Sequence, residues 1–136
     1  MSNPPITLTQ QDYEKLRLLV SSLESHPRGK ALVASLHTEL GRAQVLGEGA
    51  SLPPGVVTMN SEVHIQDIES GEIDIYTLVF PEHADAERRR LSILAPIGTA
   101  ILGYREGDEI TWHTPGGARR IKLLKVITPE KIGVSP

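Results

Sequence analysis

The sequence predicts an α+β fold: an N-terminal antiparallel helical hairpin, then a twisted antiparallel sheet with one short helix against it. Three observations carry that reading. Apolar residues recur at three- and four-residue steps through the first third of the chain, a glycine- and proline-rich stretch without periodicity follows, and beyond it the apolar period drops to two.

Thr9-Gln10-Gln11-Asp12 has the spacing of a capping box, with Asp12 where Glu or Gln is usual. Tyr13, Leu16, Leu19, Val20 and Leu23 then share one stripe, which gives an amphipathic helix over residues 10–25. His26-Pro27-Arg28-Gly29 interrupts it, because proline lacks an amide hydrogen and disfavours helix in the residue before it. A second stripe, Leu32, Leu36, Leu40 and Ala43, gives a helix that ends near Gly47. Each helix is roughly 22 Å long at 1.5 Å per residue, and the short turn between them folds them back on each other.

The run Gly-Glu-Gly-Ala-Ser-Leu-Pro-Pro-Gly over residues 47–55 is turn and linker chemistry. The expected organisation is therefore a hairpin over 1–48, a linker over 49–55 and a sheet domain over 56–136. In that domain Val63 and Ile65 alternate with His64 and Gln66, and Ile73, Ile75, Thr77 and Val79 alternate with Asp74, Tyr76 and Leu78. These are strands, and Glu69-Ser70-Gly71-Glu72 is the turn between them. Residues 81–90 form a polar, exposed connection to a short strand over 91–94. Pro96 suits the first position of a short helix that Gly103 ends. Strands over 109–114 and 118–127 flank the turn Pro115-Gly116-Gly117, and Asp108 after Gly107 reads as a turn carboxylate that accepts backbone hydrogen bonds.

With 136 residues, 39% of them hydrophobic and 23% charged, and a net charge of -3, the chain is a globular protein of near-balanced charge. Global disorder and nucleic-acid binding by bulk positive charge are excluded. The absence of cysteine removes disulfides, thiolate nucleophiles and cysteine-ligated metals. No apolar run is long enough for a signal core or a membrane span, so a cytoplasmic protein without a membrane partner is expected.

The candidates for chemistry are sparse. His26, His37, His64, His83 and His113 include no pair at an interval that would place two imidazoles on one ligand face, so no metal is expected. No serine sits in a nucleophile-elbow context, and Gly116-Gly117 lacks the lysine and helix of a phosphate loop. Catalytic residues, cofactors and a small-molecule substrate are therefore not expected. Arg88, Arg89 and Arg90 form a compact positive cluster that suits an acidic surface, or else a solvated loop offset by Glu82, Asp85 and Glu87. The turn Leu94, Ala95, Pro96 and Ile97 opens an apolar segment, part of which must pack on the sheet while its start offers a docking surface for another protein.

The run from Ser92 through Ile93-Leu94-Ala95-Pro96-Ile97-Gly98-Thr99-Ala100 to Gly107-Asp108, followed by Trp112 and Thr114-Pro115-Gly116-Gly117, resembles the C-terminal domain of the bacterial transcript cleavage factors GreA and GreB. The abbreviated hairpin and the segment Val56-Val57-Thr58-Met59-Asn60-Ser61 make the likeness strongest to family members with a short N-terminal coiled coil. The resemblance implies an FKBP-like sheet domain that docks on RNA polymerase at the rim of its secondary channel, with the hairpin pointing toward the channel and nucleic acid reached only through the polymerase. The positions matching the family's docking contact are Leu94, Ala95, Pro96 and Ile97.

In the family, a pair of acidic residues at the coiled-coil tip helps to hold a magnesium ion. Here the tip carries one acid, Glu24, beside His26 and the cations Arg28 and Lys30, a poor set for a divalent ion. The resemblance with that departure implies a competitor of Gre factors that does not stimulate transcript cleavage. Two other readings stay open: an FKBP-like peptidyl-prolyl isomerase, which needs an aromatic-lined pocket, and a nucleic-acid-binding module using Arg88, Arg89 and Arg90.

Overall fold

A computed structural model describes residues 5–47, 52–114 and 116–129, with the side chains of residues 113 and 114 left aside. Pro115 of the expected hairpin turn and part of the expected linker lie outside the described residues.

The chain opens with strand β1 (Thr7–Thr9), which runs directly into α1 (Gln10–Glu24). Thr9 caps that helix, its side chain accepting the Asp12 N–H at 3.1 Å. Ser25 and His26 make the turn, and Pro27 at the first position of α2 (Pro27–Arg42) starts the return helix, where its missing N–H costs nothing. Leu16 and Val20 of α1 meet Val33, Leu36 and Leu40 of α2. Gly29 lets the start of α2 approach the end of α1, since a Cβ there would stand 2.0 Å from the Leu23 carbonyl oxygen.

Two features of the second helix differ from the sequence expectation. The buried stripe is Gly29, Val33, Leu36 and Leu40, whereas Leu32 is 58% exposed. The helix also stops at Arg42 rather than near Gly47, because Gln44–Leu46 forms β2, which pairs in parallel with β1. Thr7 of that pair donates its N–H to the Gly103 carbonyl at 3.0 Å, so this small sheet joins the hairpin base to the rest of the chain.

The larger sheet has the order β5-β4-β3-β7-β6, with β3 (Glu62–Asp67), β4 (Ile73–Val79), β5 (Arg90–Ser92), β6 (Glu109–Thr114) and β7 (Gly117–Ile127). A single 3-10 turn, Pro81–His83, lies in the β4–β5 connection, and α3 (Pro96–Ile101) follows β5. The expected helical hairpin, sheet and short helix are all present. One pairing departs from the antiparallel pattern: β5 lies parallel to β4 at the sheet edge. The β3–β4 turn closes on Asp67, whose carboxylate accepts the N–H groups of Glu69 and Ser70. Hydrogen bonds from Arg119 and from those two amides hold the Asp67 carboxyl below the usual carboxylate range.

One sheet face points at the helices. Val63, Ile65, Leu78, Ile110, Ile121, Leu123 and Val126 are buried there, in one cluster with the hairpin leucines, Ile6, Leu8, Ile101, Leu102 and Tyr104. The alternation of β4 resolves against its isoleucines: Tyr76 and Leu78 turn inward, and Ile73 and Ile75 face outward. Arg42 at the end of α2 hydrogen-bonds the Tyr104 hydroxyl and lies 5.6 Å from the centre of its ring, a second tie between hairpin and sheet.

Candidate functional site

The segment between β5 and α3 is built around a buried anchor. Ile93 at its start is fully buried, and its carbonyl accepts the Thr99 hydroxyl at 2.6 Å. Ser92 fixes the turn twice, its Oγ accepting the Leu94 N–H at 3.0 Å and its carbonyl accepting the Ala95 N–H at 3.0 Å. Thr99 N–H then bonds the Ala95 carbonyl at 3.0 Å, which starts α3 on Pro96. Gly98 faces the Ser92 carbonyl so closely that a Cβ would stand 2.2 Å from its oxygen. The outcome is a constrained turn in which Leu94 and Ile97 are half-buried against the core and Pro96 is exposed between them.

The segment therefore divides, with Ile101, Leu102 and Tyr104 in the core and, of the four turn residues, only Pro96 exposed while Leu94, Ala95 and Ile97 are half-buried. Ser92, Gly98 and Thr99 are the positioning residues that sequence reasoning did not assign. Thr99 carried a signal, since a hydroxyl inside an apolar segment needs a partner when buried.

Beside the turn, α2, α3 and β6 enclose a groove of about 230 Å³ lined by Glu39, Pro96, Thr99, Tyr104, Ile110 and Trp112, among others. The Trp112 Nε1 atom is buried without an acceptor among the described residues. Two aromatic rings thus share one groove, although its volume is below the roughly 300 Å³ at which ligand pockets begin.

The three arginines of the cluster have different surroundings. Arg88 reaches Asp85 at 3.7 Å, and Arg89, held at a φ of 58°, donates to Asp74 at 2.8 Å and stacks 5.0 Å from the Tyr76 ring centre. Arg90 is exposed, and its guanidinium makes no ion pair among the described residues. Asp85 also accepts the N–H groups of Glu87 and Arg88, so the loop is closed by its own acid. Asp108 behaves as a turn carboxylate, accepting the Arg105 N–H at 2.8 Å.

At the hairpin tip His26, Arg28 and Lys30 are exposed. Glu24 is turned back along the hairpin, its Oε1 2.8 Å from His37 Nδ1 on α2. Among the described residues no three His, Cys, Asp or Glu side chains gather into a metal-holding group, and no helix is long and apolar enough to cross a membrane.

Comparison with known proteins extends these observations. A family model described as "Transcription elongation factor, GreA/GreB, C-term" matches residues 52–128, and one described as "Rnk N-terminus" matches residues 4–46. The chain is 36% identical over 135 residues to the regulator of nucleoside diphosphate kinase of Escherichia coli (strain K12), covering 98% of this chain and 97% of the relative. It is 33% identical over 94 residues to transcription elongation factor GreA of Syntrophobacter fumaroxidans, covering 69% of this chain and 60% of that protein. Among solved structures, the transcription elongation factor GreA/GreB from Nitrosomonas europaea superposes with a TM-score of 0.68 at 40% identity, over 92% of this chain and 99% of that one. These relatives are named for regulation and for transcription elongation, and the match runs through both the hairpin and the sheet. The chain belongs to the GreA/GreB family of transcription elongation factors and carries the N-terminal region named for Rnk.

Proposed function

We propose that this protein is a non-enzymatic regulator of transcription that binds RNA polymerase at the rim of its secondary channel through Leu94, Ala95, Pro96 and Ile97. It competes there with Gre factors. The observation that supports the reading most is the build of the turn: Pro96 is exposed while its neighbours rest on the core and Ser92, Gly98 and Thr99 hold the backbone. An apolar projection already fixed in shape loses little conformational entropy on binding.

The hairpin supports the second half of the reading. Its helices have 15 and 16 residues, and its one tip acid is engaged with His37. A rod of roughly 22–24 Å with that tip occupies a docking place without delivering a carboxylate pair to a metal. Arg90 at the start of β5 supplies a positive charge for steering toward an acidic surface. DNA and RNA are reached only through the polymerase.

Pro96→Asn tests the anchor, because it removes an apolar contact and the ring that fixes the turn together. Binding of the folded variant to core RNA polymerase should weaken at least about tenfold, which is about 1.4 kcal/mol. Wild-type affinity in a variant with an unchanged circular dichroism spectrum would refute the turn as the anchor.

A further inference from the structure

No other described element packs on the face of the sheet turned away from the helices, and that face is neither neutral nor evenly polar. Three of the six exposed large hydrophobic side chains among the described residues sit there: Ile73 (54% exposed), Ile75 (43%) and Leu124 (37%). The register sets their surroundings. Ile75 lies opposite His64, which lies opposite Lys125, and Ile73 lies opposite Gln66, which lies opposite Lys122. A bulge at His64 and Ile65 places the extra residue Leu124 beside Lys125 on this face.

The charges on the face do not cancel. Glu62 is taken by His64 at 3.1 Å and Glu109 by Arg120 at 3.2 Å. The ammonium groups of Lys122, which lies opposite Glu109 on β6, and of Lys125 make no ion pair or hydrogen bond among the described residues. A chain of net charge -3 thus presents an apolar strip on β4 with two unpaired ammonium groups two strands away on β7.

We infer that this face is an interaction surface for an amphipathic helix of another protein, with leucine-like residues along one stripe and acidic residues along one flank. The dimensions fit. Ile73 and Ile75 are about 6.7 Å apart along the strand, close to the 6 Å rise between residues i and i+4 of a helix. The lysines lie about 9.6 Å to one side, two strand spacings away, which matches a helix about 10 Å across lying along β4. Nucleic acid suits the face less, because the aromatic rings Tyr13, Tyr76, Phe80, Tyr104 and Trp112 all pack in or against the core on the helix side, which leaves no stacking platform beside the lysines. The surface is separate from the turn at residues 94–97, so this inference goes beyond polymerase docking.

The test titrates the isotopically labelled full-length protein with two synthetic helical peptides of about five turns, about 18 residues each. Both carry leucines at i and i+4, one flanked by glutamates and the other by lysines. The acidic peptide should shift the amide resonances of His64, Ile73, Ile75, Lys122, Leu124 and Lys125, and the basic peptide should leave them unmoved. Lys122→Glu with Lys125→Glu should weaken the acidic peptide at least tenfold and admit the basic one. Ile75→Ser, a change at an exposed position, should weaken the acidic peptide without disturbing the fold. The inference is overturned if the acidic peptide leaves these resonances unmoved, if both peptides bind alike, or if the shifts map to residues 94–97. It is equally overturned if the resonances move only with vesicles of anionic phospholipid, or with protein concentration alone, which would assign the face to lipid or to a second copy of the chain.

Discussion

The carboxylate of Asp12, in the first turn of α1, accepts the backbone N–H of Met59 at 3.0 Å, across 47 residues of sequence and from hairpin to sheet domain. The local pattern had offered that carboxylate to its own helix terminus. Thr9 makes its half of the capping box, but Asp12 gives its oxygen to the chain entering β3. Burial pushes the Asp12 carboxyl up, outweighing the lowering by the Met59 amide and by Lys15.

Asp12→Ala leaves the Met59 amide without its acceptor and should cost about 1–3 kcal/mol, read from urea unfolding. Asp12→Asn keeps an acceptor and removes the charge. Because the folded protein holds the Asp12 proton more tightly than the unfolded chain, the stability from this group is full below pH 3.8 and is lost as the pH rises through the folded value. Asp12→Asn should therefore gain on the wild type as the pH rises from 3.8 to neutrality. A wild-type advantage that grew over that interval would contradict the assignment.

Gly98→Ala drives a methyl group to 2.2 Å from the Ser92 carbonyl oxygen, which is backbone and cannot rotate away. The change should cost about 1–3 kcal/mol, as overpacking does, and should loosen the turn that presents Pro96. The expected result is a lower melting temperature together with weaker polymerase binding. Thr99→Val should show the same coupling more mildly, by about 1 kcal/mol, since it removes the bond to the Ile93 carbonyl.

The long periodic segments were legible: α1, α2, β3, β4, β6 and β7 each repeat their period often enough to declare it. β1 and β2 were not, because three residues cannot show a period and their pairing depends on the hairpin bringing together the segments before α1 and after α2. The same contact explains the early end of α2, whose continuation would remove Gln44 from the carbonyl of Ile6. In α2 the expected Leu36, Leu40 and Ala43 lie on the core side, and only Leu32 does not: Val33 takes its place in line with Gly29, which no hydrophobic scale ranks above a leucine. The helix contact needs the glycine, where the chains come closest. The turn at residues 94–97 was visible as an apolar anomaly, but its support was not, since Ser92, Gly98 and Thr99 act through backbone contacts that spacing does not reveal. The arginine run likewise gave no hint that Asp74 and Tyr76, from the neighbouring strand, would take Arg89.

The tip geometry carries its own expectation. With Glu24 bound to His37 and flanked by exposed Arg28 and Lys30, the protein added to a stalled elongation complex should yield no shortened transcripts above background. His37→Ala, which frees Glu24, should leave that result unchanged, because one carboxylate does not supply the pair a metal site of this kind needs. Cleavage by the wild type would make Glu24 a metal-directed residue after all.

Displacement of a Gre factor measures occupancy of its docking place on the polymerase. Labelled GreB is bound to core RNA polymerase at moderate salt, and the purified protein is titrated in. Complete, saturable displacement is expected for the wild type, and a curve shifted at least about tenfold for Pro96→Asn. Full retention of GreB in the presence of excess folded protein would contradict that occupancy.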